Sequence, residues 1–389
     1  MIMKTMKYIM CAIMALAAMT GLQSCVDVNK VTTKASELVV AKDYEKAISV
    51  ILKVDDGEIL KSDTLLQLLS TAYYGLQLKP TEGVAIECVD MDFTPDGKEV
   101  VFTDMHNAKL NVYSFPEMRK VRSIALPVEP FGIDFAPGGA RFAAAMDDGA
   151  VLICDYASGQ KEKTLQGHTS RARSVVFKDT TTLYSCGNDK RIISWNVKNG
   201  TQNWQKKMHY MNIKSIKLSE SKTKLITASN DGSSNIIDVT GDKEDGEFSH
   251  MNHSYGKQYV NDAAISADES IAVTVSGDET VMIWDVKGDT LAYHISLNDP
   301  LTAVDISDDG KYILVGGSRN AYVIDSATGC VVTKIPGTNM AIWTVKFIDD
   351  KHFAYVDNYR FYYGEFYARG KLIEAARKLG IEDKAQTPK

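Results

Sequence analysis

Seven times along this chain a short apolar phrase recurs at nearly constant spacing: KLNVYSF, AVLICDY, RIISWNV, SSNIIDV, TVMIWDV, NAYVIDS and RFYYGEF. The residue that closes the apolar run of each phrase is Tyr113, Cys154, Trp195, Ile237, Trp284, Ile324 and Tyr363, giving intervals of 41, 41, 42, 47, 40 and 39. A period near 40 sustained over seven units is hard to reconcile with a sandwich or an α/β fold. Radial blades of four antiparallel strands produce it directly. Ahead of each phrase stands another with period-two alternation: CVDMDFTPDG, GIDFAPGG, SVVFKD, SIKLSE, AAISADE, AVDISDDG and TVKFIDD. These read as the first strand of each blade, and Pro95-Asp96-Gly97, Pro137-Gly138-Gly139 and Asp308-Asp309-Gly310 as tight turns after it. The expectation is an all-β, seven-bladed propeller over residues 84–370, with a small α-helical segment before it.

The third unit, GHTSRARSVVFKDTTTLYSCGNDKRIISWN, resembles the WD40 repeat. It carries Gly167-His168 before its first strand, Ser185 in the second, Asp189 in the next turn and Trp195 in the third. The resemblance implies one network in which Asp accepts from His, His meets the hydroxyl, and the hydroxyl meets the indole N–H. The fourth unit keeps His209, Thr227 and Asp231 but has Ile237 for Trp, and the fifth keeps Thr274, Asp278 and Trp284 without His. His168, Ser185 and Asp189 are also the residue types of a nucleophilic triad. Ser185 lacks the nucleophile-elbow context, so bracing is the expected role and no catalytic residue is assigned.

The amino terminus is a separate matter. Lys4 and Lys7 precede an apolar stretch, Tyr8 to Leu16 and beyond, that stops at Leu22-Gln23-Ser24-Cys25. This LQSC resembles the lipobox of bacterial lipoproteins. The resemblance implies a signal peptide over 1–24, lipid on Cys25, a linker over 25–29, and an exported protein on the outer membrane, facing the periplasm in preference to the cell surface. Membrane contact would then be through the lipid anchor only. The remaining cysteines, Cys88, Cys154, Cys186 and Cys330, are scattered without a CxxC pair and read as buried thiols.

Residues 30–79 lack the repeat. Asp43 can cap a helix through Ala47, Ile48, Ile51 and Leu52, and Ser62 or Asp63 a second one from Leu65 to Tyr73. The phrases DYEKAI and LSTAYYGL resemble tetratricopeptide helices, which implies a helical hairpin. At the far end, residues 371–389 offer a strand or helix and a tail. The last blade needs an outer strand. Residues 371–375 could supply it in series, or 76–83 could clasp back, and the latter is favoured.

Chemistry-bearing motifs are few. The chain has no HExxH, GxSxG or P-loop, and its paired His250 and His253 lack a third ligand, so neither cofactor nor metal is expected. Formal net charge is −6 with no basic block, which argues against a nucleic acid partner. The 47-residue interval holds the longest insertion, residues 242–259, with Phe248, Met251, Tyr255 and Tyr259 among charges. Together with Arg171, Arg173, Tyr210 and Met211 on the same loop face, it makes a candidate protein interface. Trp343 either joins that interface or is buried between blades. The reading is a non-enzymatic, lipid-anchored scaffold for an unknown envelope protein. An envelope hydrolase or lyase, or a carbohydrate- or ligand-binding lipoprotein, is the alternative, and the enzyme would need a deep axial cleft with two or more carboxylates.

Overall fold

The computed structural model describes residues 27–51, 53–54, 62, 64–65, 68, 84–86, 88–104, 106–240, 259–336, 340–349, 352–357 and 360–365. Over the repeat it is a seven-bladed β-propeller, each blade an antiparallel sheet. The first, innermost strands are Met91–Phe93, Pro130–Phe135, Ala172–Phe177, Ile213–Leu218, Val260–Ile265, Leu301–Ile306 and Ile342–Phe347. Blades 1, 2, 3, 5 and 6 have four strands in chain order, and blade 4 has three among the described residues.

Blade 7 is closed from the other end of the chain. Val84–Ala85 pairs antiparallel with Arg360–Glu365, Val84 opposite Phe361 and Ala85 opposite Arg360. The ring is therefore clasped, but by two residues at 84–85. The 76–83 segment favoured from the sequence and the 371–389 tail lie outside the described residues.

The core is not central. Each neighbouring pair of blades shares its own buried apolar cluster. Blades 2 and 3, for example, join Val151, Ile153 and Leu165 to Val175, Phe177 and Trp195. This follows from the alternation: a central strand has two faces, and in a ring both are covered by neighbours. Gly167 shows how tightly they fit. A Cβ there would lie 2.7 Å from the Trp195 ring and 2.2 Å from the Gln202 amide nitrogen.

Before the propeller, α1 (Val28–Val40) is capped by Asp27, whose carboxylate accepts from the N–H groups of Asn29 and Lys30. A short turn leads to α2 (Tyr44–Ile51), and the two helices pack through buried Val31, Ala35, Ala47 and Ile51. The helical pair thus begins at 28 and uses an α1 that the sequence reading did not define. Of the second helix expected there, Ser62 Oγ accepts from Leu65 N at 3.2 Å, and most of the rest lies outside the described residues.

Candidate functional site

Antiparallel order places two kinds of connection on one face of the ring: the loop entering each innermost strand and the turn between second and third strands. On that face His168, in the loop entering blade 3, meets Asp189 in the turn. His168 Nδ1 is 2.9 Å from Asp189 Oδ1, and Nε2 is 2.7 Å from Ser185 Oγ. A carboxylate only accepts, so Nδ1 carries the proton, Nε2 accepts from the hydroxyl, and the Trp195 indole donates to Ser185 Oγ at 2.8 Å. Every member is buried. Burial alone would raise the Asp189 pKa. Hydrogen bonds from His168, Thr169 N and Arg191 N outweigh it and hold the carboxyl below its usual value.

Blade 4 repeats the arrangement with His209, Thr227 and Asp231, adding Ser233 at 3.0 Å from His209 Nδ1. In blade 5 Trp284 Nε1 donates to Thr274 Oγ1 at 3.3 Å, while Asp278 receives Thr280 N. In blade 6 the acid has moved from the turn to the loop. Asp299 is 1% exposed, and its Oδ2 accepts from Arg319 N, Asn320 N, the Asn320 amide and Tyr322 OH. The sequence reading missed Asp299, because an Asp before a Pro looks like any turn.

Just inside this face, the innermost strands of blades 2 to 7 each carry a register shift against the second strand at the same point. The residues skipped are Phe131, Arg173, Lys214, Asn261, Thr302 and Trp343. A bulge re-aims its side chain, and here six of them sit in a ring at the channel mouth. Arg171 and Arg173 both stand over the Phe131 ring, at 4.0 and 5.4 Å from its centroid. Arg171 is paired with Asp147, and Arg173 Nε donates to Asn188 Oδ1 at 3.0 Å. Lys214 Nζ donates to Asn261 Oδ1 at 2.5 Å and lies 5.8 Å from the Tyr259 ring. Trp343 is 47% exposed, so it is not buried between blades; Tyr210 is 88% and Tyr259 45% exposed, and Met211 is also exposed. Phe248, Met251 and Tyr255 lie outside the described residues.

Deeper in the channel the innermost strands carry a carboxylate system that the sequence reading also missed. Asp90 Oδ2 accepts from Ile133 N at 3.0 Å, Asp92 from Phe135 N at 3.3 Å and Asp134 from Phe177 N at 2.7 Å. Asp262 accepts from Val304 N at 2.9 Å and Asp305 from Phe347 N at 2.8 Å. Every bond runs from one blade to the next. Lys217 pairs with Asp262, and Lys346 with Asp92 across the seam between blades 7 and 1. Burial pushes Asp90 up to about 7 and raises Asp134 and Asp305 as well, Asp92 adding repulsion at Asp134. The signal was present as Asp inside otherwise apolar strands (VDMDF, GIDF, AVDI). The alternative enzyme reading asked for axial carboxylates. Those found are each engaged by a backbone N–H of the adjoining blade.

Among the described residues no group of three or more His, Cys, Asp or Glu is placed to hold a metal. Cys88, Cys154 and Cys186 are buried free thiols and Cys330 a half-buried one.

The family model for the WD domain, G-beta repeat, matches residues 159–196 and 247–285, the third and fifth units. The chain is 29% identical over 119 residues to the Schizosaccharomyces pombe "Meiotic recombination protein rec14", covering 30% of this chain and 39% of that protein. It is 31% identical over 112 residues to the Aspergillus flavus "Nuclear distribution protein nudF", covering 28% and 25%. Identity to the "Pre-mRNA-processing factor 19" of Oryza sativa subsp. japonica is 26% over 195 residues, covering 49% and 35%. The chain thus spans well under half the length of these curated relatives.

These comparisons correct the reading of the amino terminus. The relatives come from fungi and a plant, and their names speak of meiotic recombination, nuclear distribution and pre-mRNA processing, not of a bacterial envelope. The bacterial lipoprotein assignment is withdrawn on that ground. With it go lipid on Cys25, the membrane anchor, the outer-membrane location and the envelope partner. The physical reason is that a short apolar run followed by Ser-Cys rests on a handful of residues, whereas the repeat rests on seven units. Cys25 and the rest of residues 1–26 lie outside the described residues. Among the described residues no helix is long and apolar enough to cross a membrane.

Proposed function

We propose that this chain is a non-enzymatic protein-binding scaffold whose working surface is the propeller face carrying the bulged ring. The carrying observation is where the side chains point. Trp343, Tyr210 and Tyr259 are exposed at the loops and bulges of one face, while the triad-like trio is turned inward and sealed. Large aromatics suit an interface, since few rotatable bonds are frozen when they are covered. Ser185 Oγ is shared between His168 and the Trp195 indole, which leaves it no approach to a substrate.

The test is a tagged full-length chain used to recover partners from its native cell extract, beside two variants. One combines Tyr210→Ala, Met211→Ser and Trp343→Ala. The other, on the opposite face, is Lys98→Ala in the exposed turn of blade 1. Loss of the same partners in the first variant and retention in the second supports the reading. Equal recovery in all three overturns it.

A further inference from the structure

The channel mouth between blades 2 and 5 is chemically one-sided, and its charge specifies what covers it. Phe131, Arg173, Lys214 and Asn261 are the bulged residues of four successive blades, with Arg171 and Tyr259 beside them. Arg171 is occupied by Asp147. Arg173 and Lys214 are bonded instead to the neutral amide oxygens of Asn188 and Asn261. Burial and the neighbouring Arg171 hold Arg173 below its usual value; burial and Arg173 do the same for Lys214, with Asp262 opposing. Like charges are thus kept together and partly desolvated, a cost that an incoming anion relieves. They stand out on a chain with 50 acidic residues against 44 basic ones.

We propose that this mouth binds an acidic peptide segment of a protein partner, its carboxylates on Arg173 and Lys214 and its apolar side chains on Phe131 and Tyr259. The inference rests on the scaffold reading above and names the partner's chemistry. Two features favour a peptide lying across the mouth over a nucleic acid strand. Behind the rim, the channel lysines Lys217 and Lys346 are already paired with Asp262 and Asp92, so they do not extend the rim cations into a positive track for a phosphate backbone. A phosphate backbone, charged at every residue, would also meet Asp147 and a protein of net charge −6. Spaced carboxylates interspersed with apolar residues match two neighbouring cations flanked by rings. Charge-assisted pairs at such a rim set selectivity and salt dependence more than total affinity.

The experiment is fluorescence anisotropy of the full chain with a fluorescein-labelled octapeptide alternating Glu and Leu, against its Gln-Leu counterpart. The acidic peptide is expected to bind roughly tenfold more tightly, the worth of about one charge-assisted pair, with the margin shrinking as salt rises. Arg173→Gln with Lys214→Gln should erase that margin, Arg173→Lys should keep most of it, and unchanged thermal midpoints would show the variants folded. Equal binding of both peptides overturns the proposal, as does a margin untouched by the double variant. Tighter binding of a labelled single-stranded oligonucleotide, or full displacement of the peptide by millimolar inorganic phosphate, also overturns it. If partner recovery still depends on Tyr210 and Trp343 while neither peptide is preferred, the scaffold reading stands and the acidic partner falls.

Discussion

At the scale of single residues, the hydrogen bonds of blade 3 give Asp189 more to do than its turn requires. It fixes the His168 proton, caps two backbone N–H groups and through His168 orients the hydroxyl that receives the Trp195 indole. Replacing Asp189 by Ala leaves buried donors unpaired, and urea unfolding should show a loss of about 2–3 kcal/mol. Because its folded value lies below its unfolded one, its contribution is complete above the ordinary carboxylate range. It is lost as pH falls through the folded value, and Asp231 in blade 4 behaves alike. The D189A chain should therefore lose less stability on acidification than the natural one; parallel acid curves would contradict this. The blade 3 network was readable because its four residues stand at fixed offsets in an unbroken unit. Asp299 was not, since in blade 6 the acid sits on the other side of the same interface and leaves no offset to recognise. The bulged ring was equally hidden: one extra residue in a strand changes neither composition nor alternation enough to notice.

At the scale of elements, the innermost strands combine two demands. They are buried between neighbours, yet carry acids whose acceptors satisfy backbone donors one blade on. Gly132 marks the closeness of that approach, since a Cβ there would lie 2.7 Å from the Arg173 carbonyl oxygen. The acids titrate in the opposite sense to Asp189. With folded values above unfolded ones, Asp90 and Asp134 contribute stability that is complete below the unfolded value near ~4 and fades as pH rises through about 7 for Asp90 and about 8 for Asp134. Asp134→Asn keeps a carbonyl acceptor for Phe177 N and removes one titration. Thermal midpoints followed from mildly acid to mildly alkaline pH should decline less steeply in D134N; an unchanged slope would refute the assignment. Strand existence and order were plain from the alternation, whereas the clasp was not. Two residues, Val84 and Ala85, are too short a strand to show any period, and the longer segment just before them reads as the clasp instead.

At the scale of the whole molecule, stability is distributed around a circle, and the seam between blades 7 and 1 is where the circle is made. The two-residue clasp is the smallest part of that seam. Phe361 packs on Phe102 with ring centroids 5.2 Å apart, Tyr363 on Phe115 at 5.1 Å, and Lys346 pairs with Asp92 in the channel. Lys346 is flanked by Asp92, Asp134 and Asp305, which hold its pKa above the usual lysine value against the opposing effect of burial. Replacing it with Met strands those acids, at a cost of about 2 kcal/mol given that 39% of its side chain stays open. Adding Asp92→Asn should recover part of the loss. Additive effects in that double-variant cycle would mean the pair does not hold the seam.

The direction of the channel bonds carries a consequence for how the chain is assembled. The carboxylates of Asp90, Asp92, Asp134, Asp262 and Asp305 all reach forward, to a blade synthesised later. Blades 1, 2, 5 and 6 therefore each hold an acceptor whose backbone donor lies in the blade that follows, and that bond is made only when the following blade is present. On the axis, Lys346 of the last blade reaches Asp92 of the first, so this ion pair can form only once all seven blades are present.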